Sequence, residues 1–251
     1  MNDVAARLAG AGFPSADEEA SELETAAGGD GARLEAMVQR REQGEPLAWI
    51  VGTIDFGGVR IAVTPGVYVP RLQSVPLARR AAQLLPRGGT VVDLCTGSGA
   101  VAAFVLARRP DTRVLATDTD DASVACARDN GVDAYVGDLF APLPKGVRGA
   151  VDVVTAVAPY VPTRELAFLP RDVQAYEPVS ALDGGGDGLD VVRRIVQEAP
   201  GWLAPGGALV LEIGGDQAAV LAPLLAAAGY DEAETLVDEE DDVRGISARR
   251  P

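Results

Sequence analysis

Histidine is absent from the 251 residues. That excludes an imidazole general base, a Ser–His pair and a histidine-rich metal site. Cysteine is nearly absent: Cys95 and Cys126 are the only two. Two thiols inside one α/β unit suit a reducing compartment better than a disulfide scaffold. No cluster of Cys, Asp and Glu has metal-ligand spacing, so no metal is expected. No apolar run approaches the length of a membrane span. The opening Met1-Asn2-Asp3 lacks the basic-then-apolar build of a secretory leader, and a cytoplasmic location is the expectation. Positive charge is short as well: 22 Lys and Arg stand against 37 Asp and Glu, a net charge of −15. Phosphate-rich partners need clustered cations, so direct nucleic-acid or anionic-membrane binding is not expected.

The remaining composition, 47% hydrophobic and 24% charged, is that of a globular chain long enough for one large α/β domain with a small appendage. Residues 1–45 read as helices, broken at Gly12-Phe13-Pro14 and at Gly28-Gly29-Asp30-Gly31. Ser15 and Glu18 have the spacing of a capping box. This helical unit has too little core to stand alone. Residues 46–74 change character. Trp49-Ile50-Val51-Gly52, Ile54-Asp55-Phe56 and Val59 to Val63 run apolar or alternate, and Gly57-Gly58 signals a β-hairpin. The third unit spans 75–251. It opens with a helical pattern to Leu85, then alternates strand and helix, with strands expected at 90–94, 113–117, 133–136, 151–157 and 207–213. Such alternation implies a parallel sheet covered on both faces. Glu232 to Val237 and Gly245 to Ala248 are also β-like, flanking an acidic turn over Asp238 to Asp242.

Within the third unit, Val91-Val92-Asp93-Leu94 is an apolar run ending near an acid, followed by Cys95-Thr96-Gly97-Ser98-Gly99 and an alanine-rich helix. The glycines let the backbone turn sharply beside a ligand. Taken alone, Gly97-x-Gly99-x-x-Ala102 also fits a relaxed dinucleotide fingerprint. Asp93 argues against that reading, because an acid beside the turn repels a pyrophosphate that would otherwise sit on the helix N-terminus. It favours a ligand with a positive centre and an amine, such as the methionine half of S-adenosylmethionine. Asp118, ending the second strand, is placed to accept from two ribose hydroxyls. Asp138 follows the third strand and is expected to accept from the adenine amine, with Leu139 or Phe140 covering the ring.

At this point the chain resembles the class I S-adenosylmethionine-dependent methyltransferases, and more narrowly the HemK/PrmC family of protein-glutamine N5-methyltransferases. Similarity runs through Arg41, Gly44-Glu45-Pro46-Leu47-Ala48-Trp49-Ile50 and Gly52, then Phe56-Gly57 and Val69-Pro70-Arg71. It continues through Cys95 to Gly99, through Tyr176-Glu177-Pro178 to Gly188-Leu189, and through Leu211-Glu212-Ile213-Gly214 and Gln217. The resemblance implies a Rossmann-like doubly wound, mostly parallel seven-stranded sheet with an antiparallel last strand. It implies S-adenosylmethionine as cofactor, S-adenosylhomocysteine as product, and a substrate-facing wall built from the N-terminal helices and hairpin. The family motif Asn-Pro-Pro-Tyr is represented here by Val157-Ala158-Pro159-Tyr160, and the family's Thr-Glu pair by Ser74-Val75. Val157 has no side-chain acceptor with which to hold an amide. The methyl acceptor is therefore expected to be a protein, peptide or small molecule, a release factor being one option among them. Two other readings remain at this point: a cofactor-binding protein that has lost catalysis, and a dinucleotide oxidoreductase.

Overall fold

The computed structural model describes residues 3–214, 217–238 and 240–251. Helices α1 (Asp3–Gly10), α2 (Ala16–Ala27) and α3 (Gly31–Glu42) enclose a satellite core around Leu8, Leu23 and Val38. Arg41 ties it together: its guanidinium lies 3.7 Å above the Phe13 ring and is held by Glu19 at 2.6 and 2.9 Å. The expected capping box does not form. Ser15, at φ −97° and ψ 39°, is not in the extended conformation that aims a capping hydroxyl at the helix, and its side chain makes no capping bond. The acid in the next break does cap: Asp30 accepts from the amides of Ala32 and Arg33.

The apolar run at Trp49 precedes the hairpin and is not one of its strands. It forms a one-turn helix, α4 (Leu47–Val51), that ends at Gly52 in the left-handed region, φ +83°. A five-residue apolar run has too little length to display a period, so helix and strand are not separable in it. The hairpin is present as β1 (Thr53–Phe56) and β2 (Val59–Ala62), turning at Gly57 (φ +62°) and Gly58 (φ +85°). Phe56 meets Phe104 edge-on with ring centres 6.0 Å apart. Asn130 binds the far strand, accepting from the Ala62 amide at 2.8 Å and donating to the Ala62 carbonyl at 2.9 Å and the Ser98 carbonyl at 2.8 Å.

The remaining chain runs α5 (Val75–Leu84), β3 (Thr90–Leu94), α6 (Ala100–Arg108), β4 (Arg113–Asp118), α7 (Asp121–Asp129), β5 (Asp133–Val136), β6 (Val151–Ala156), α8 (Arg171–Tyr176), α9 (Asp190–Glu198), β7 (Leu203–Glu212), α10 (Gln217–Ala227), β8 (Asp231–Val237) and β9 (Val243–Arg249). The seven-stranded sheet has the order β5-β4-β3-β6-β7-β9-β8, parallel throughout except for β9, which runs against both its neighbours. The central strands are continuous apolar runs because both faces are covered. Val91, Val153 and Val210 face one core with α5, α6 and the hairpin; Val92, Val154 and Leu209 face the other with α9 and α10. Two strand bounds differ from expectation. β7 starts at Leu203, passing Pro205-Gly206 where the register with β6 shifts. β6 stops at Ala156, which leaves Val157 just beyond the sheet. In the acidic turn Asp238 accepts from the amides of Glu240 and Asp242 and pairs with Arg244, while Glu239 lies outside the described residues.

Candidate active site

The sheet order reverses at β3, which has β4 on one side and β6 on the other. Ligand sites of open α/β sheets form at that switch point, beyond the carboxyl ends of the strands. A cavity of about 390 Å³ lies there, within the size class of cofactor sites. The hairpin, the segment after it and the ends of β3 to β6 all contribute to its walls. Of the sequence-derived residues, Asp93, Cys95, Thr96, Gly97, Ser98, Asp118, Asp138, Leu139, Val157 and Pro159 line it.

Four do not. Gly99 (φ +79°) packs the start of α6 against α7, where a Cβ would stand 3.0 Å from the Ala127 Cβ. Phe140 is buried on the far side, stacked on Trp202 at 5.3 Å, and so does not cover a ring in the cavity. Ala158 is buried beneath the motif. Tyr160 points behind it, its hydroxyl accepting from Gln73 Nε2 at 2.8 Å and its carbonyl from Gln217 Nε2 at 3.0 Å. The helices α1 to α3 contribute no lining residue; the wall is made by Phe56, Tyr68, Pro70 and Ser74 of the hairpin and the segment that follows it.

The glycine turn is tied across the strands. Cys95 (φ +54°) and Gly97 (φ +54°) are both left-handed, and left-handed residues other than glycine cluster at functional sites. The Gly97 amide donates to Asp118 at 2.9 Å, and the Asp120 amide donates to the other Asp118 oxygen at 3.0 Å. Asp93 is buried and receives the hydroxyls of Thr96 and Thr155 at 2.6 and 2.7 Å. Burial pushes its carboxyl up to about 6 against those two bonds, and burial likewise raises Asp118. Among the described residues neither acid has an ion-pair partner. Two carboxyls thus face the cavity with their charge uncompensated, a surrounding that suits a cationic ligand. Asp138 differs: it is half-exposed and held by Arg194 at 2.7 and 3.1 Å.

Several lining residues escaped the sequence reading. Arg194 sits on α9 with no local signal that marks it. Tyr68 lies under Arg71, whose guanidinium is 5.0 Å from its ring centre, and Arg71 pairs with the buried Glu177. That pair joins two of the segments quoted for the resemblance, Val69-Pro70-Arg71 and Tyr176-Glu177-Pro178. A signal was therefore present, but only as two separate matches whose contact is tertiary.

No family model matches the chain. The fold is shared with a methyltransferase of Pyrococcus furiosus (TM-score 0.54, 21% identity, covering 77% of this chain and 90% of that one). It is also shared with a 16S rRNA methyltransferase of T. thermophilus solved with AdoMet and guanosine (TM-score 0.54, 20% identity, 79% and 50%). With the acids and glycine turn at its switch point, the molecule has the Rossmann-like fold of these methyltransferases, and its relatives in sequence make it an S-adenosylmethionine-dependent methyltransferase. Relatives in sequence are narrower in kind. The chain is 34% identical over 224 residues to the release factor glutamine methyltransferase of Geobacter sulfurreducens, covering 87% of this chain and 78% of the relative. It is 38% identical over 228 residues to that of Cereibacter sphaeroides, covering 88% and 80%. The chain belongs to the release factor glutamine methyltransferase family.

Proposed function

We propose that this member of the family transfers the methyl group of S-adenosylmethionine to an acceptor other than the release-factor glutamine named for its relatives: another protein, peptide or small molecule. The observation that carries the reading is Val157. It lines the cavity at the tip of β6, in the position of the motif asparagine. Asp93 and the Cys95–Ser98 turn are assigned to the methionine half of the cofactor, Asp118 to the ribose, and Asp138 with Leu139 to the adenine. The uncompensated charge of Asp93 supports the first assignment, and the pinned carboxylate of Asp118 supports the second. When bound, the cofactor supplies a sulfonium methyl that is already activated. The protein's work is then to hold the acceptor in line and to exclude water. Phe56, Tyr68 and Pro70 supply apolar surface for that exclusion.

An amide nitrogen is a poor nucleophile, because its lone pair is delocalised into the carbonyl. It needs its hydrogens held so that the nitrogen turns toward the methyl group. Losing one preorganised polar contact at a reaction centre costs about 10²–10³ in rate, and valine offers no such contact. The Val157→Asn variant is accordingly expected to raise transfer to a Gly-Gly-Gln release-factor domain about 100-fold over wild type, measured with methyl-labelled cofactor. A wild type as fast on that domain as an asparagine-bearing relative would remove the altered acceptor from this reading.

A further inference from the structure

The three acids that line the cavity are held in three different ways. Asp93 is fixed by two threonine hydroxyls and Asp118 by two backbone amides, all of them uncharged donors. Asp138 has a cation instead. Arg194 Nη1 donates to its Oδ1 at 3.1 Å and Nη2 donates to its Oδ2 at 2.7 Å, a two-pronged pair between the loop after β5 and helix α9. Among the described residues no other hydrogen bond reaches that carboxylate. The backbone beneath it is already set. The Gly137 amide donates to the Asp118 carbonyl at 2.8 Å, and the Ala141 amide donates to the Asp138 carbonyl at 3.0 Å. Only the side-chain torsions of Asp138 are left to fix, and Arg194 is the group that fixes them. The guanidinium has an anchor of its own: Glu198, one turn further along α9, stands 3.6 Å from Nη2. Both members of the pair line the cavity.

Both side chains are half-exposed, and an ion pair so placed adds little to stability. What a fork adds is direction. A carboxylate offers about four acceptor sites, and a guanidinium fork takes one on each oxygen. The site that remains on each oxygen then keeps a fixed heading. A purine 6-amino group can donate to it. A 6-oxo purine puts an acceptor oxygen at the same place and moves its nearest proton to ring N1. A loose carboxylate can swing to that N1–H; one gripped by a fork cannot, and the two acceptors repel each other. We propose that Arg194 is a positioning residue whose fork holds Asp138 in the one setting that takes a 6-amino purine and rejects a 6-oxo purine. The cofactor's base is thereby selected from α9, an element that the assignments to the strand ends leave out. The inference deepens the assignment of Asp138 to the adenine and rests on it.

Calorimetry with S-adenosylhomocysteine and with S-inosylhomocysteine, its 6-oxo counterpart, tests this on the full chain. The wild type is expected to bind the adenosyl form about 30-fold more tightly, the scale of one hydrogen bond to a charged group. Arg194→Ala should cut that ratio to about fivefold or less. Arg194→Lys keeps the charge without the planar fork, and should cut it below about tenfold. Arg193→Ala removes the neighbouring pair with Asp187 and should leave the ratio unchanged. A ratio is blind to a uniform loss of affinity, so a variant that only loosens α9 does not imitate the expected result. A wild type indifferent to the base, a ratio kept or raised in Arg194→Ala, full retention in Arg194→Lys, or an equal loss in Arg193→Ala would each overturn the proposal. Asp138→Ala separates the proposal from the assignment beneath it. If that variant abolishes the ratio and Arg194→Ala does not, the adenine assignment stands and the role of Arg194 falls. If Asp138→Ala keeps the ratio, the assignment itself fails, and a wild type that binds neither compound removes the methyltransferase reading.

Discussion

Asp93, one residue before the end of β3, has both oxygens held by threonine hydroxyls and no cation against it among the described residues. Its carboxyl stands at about 6 where an ordinary aspartate stands at 3.8. The folded state therefore holds this proton more tightly than the unfolded chain does. The stability that comes from the protonated form is fully present below 3.8 and is lost as pH rises through about 6. Two pKa units correspond to about 3 kcal/mol at neutral pH. Asp93→Asn is expected to recover part of that at pH 8, read as a raised unfolding midpoint, while weakening S-adenosylmethionine binding at least tenfold. In the wild type, binding at pH 5.5 should release a proton, seen as a dependence of the calorimetric heat on buffer ionisation enthalpy. An affinity indifferent to pH between 5 and 7 would detach Asp93 from the cofactor. The acid itself was legible in sequence, since it stands near the end of a run of buried-strand residues beside a glycine turn. The two threonine bonds were not, because Thr155 reaches Asp93 from another strand 62 residues away.

The hairpin gives the element-scale counterpart. Gly57-Gly58 announced β1 and β2 in the sequence, because two left-handed residues in a row need glycine. What fixes the hairpin to the body had no such signature. Asn130 replaces a missing strand neighbour by pairing with both polar groups of Ala62, and its remaining N–H reaches the Ser98 carbonyl in the glycine turn. Three net hydrogen bonds are worth about 2–4 kcal/mol together. Asn130→Ala is expected to destabilise by about that amount in denaturant unfolding, whereas a loss under 0.5 kcal/mol, about the scale of a surface substitution, would show that the hairpin is held by its other contacts, among them Phe56 on Phe104 and Arg108 on the Gly57 carbonyl. A side chain acting across 68 residues is invisible to periodicity and spacing. The same limit explains α4, where local apolarity could not choose a conformation, and Ser15, where motif spacing was right but the backbone never became extended.

Across the whole molecule, the parallel winding of the sheet was the most legible feature, because alternating apolar runs and helices imply parallel strands covered on both faces; the strand order was not legible in this way. The cavity was legible only in part. Its floor comes from strand ends that the sequence marks with acids, but its roof comes from Tyr68, Pro178 and Arg194, which tertiary packing brings over it. The charge of −15 also acts globally. Between 10 mM and 1 M sodium chloride the screening length falls from about 30 to about 3 Å, and self-repulsion fades with it. The exposed ion pairs weaken too, but each contributes about 1 kcal/mol or less. The unfolding midpoint at pH 7.5 is expected to rise by about 2–4 °C, corresponding to about 1 kcal/mol at this length; a fall would mean that the ion pairs outweigh the repulsion. Val157 has a further implication for how such a molecule diversifies. It stands past the last ladder bond of β6, half-buried, while Ala158 beneath it and the Tyr160 carbonyl after it hold the loop in place. A single codon there can therefore change the cavity wall and leave the scaffold's packing untouched.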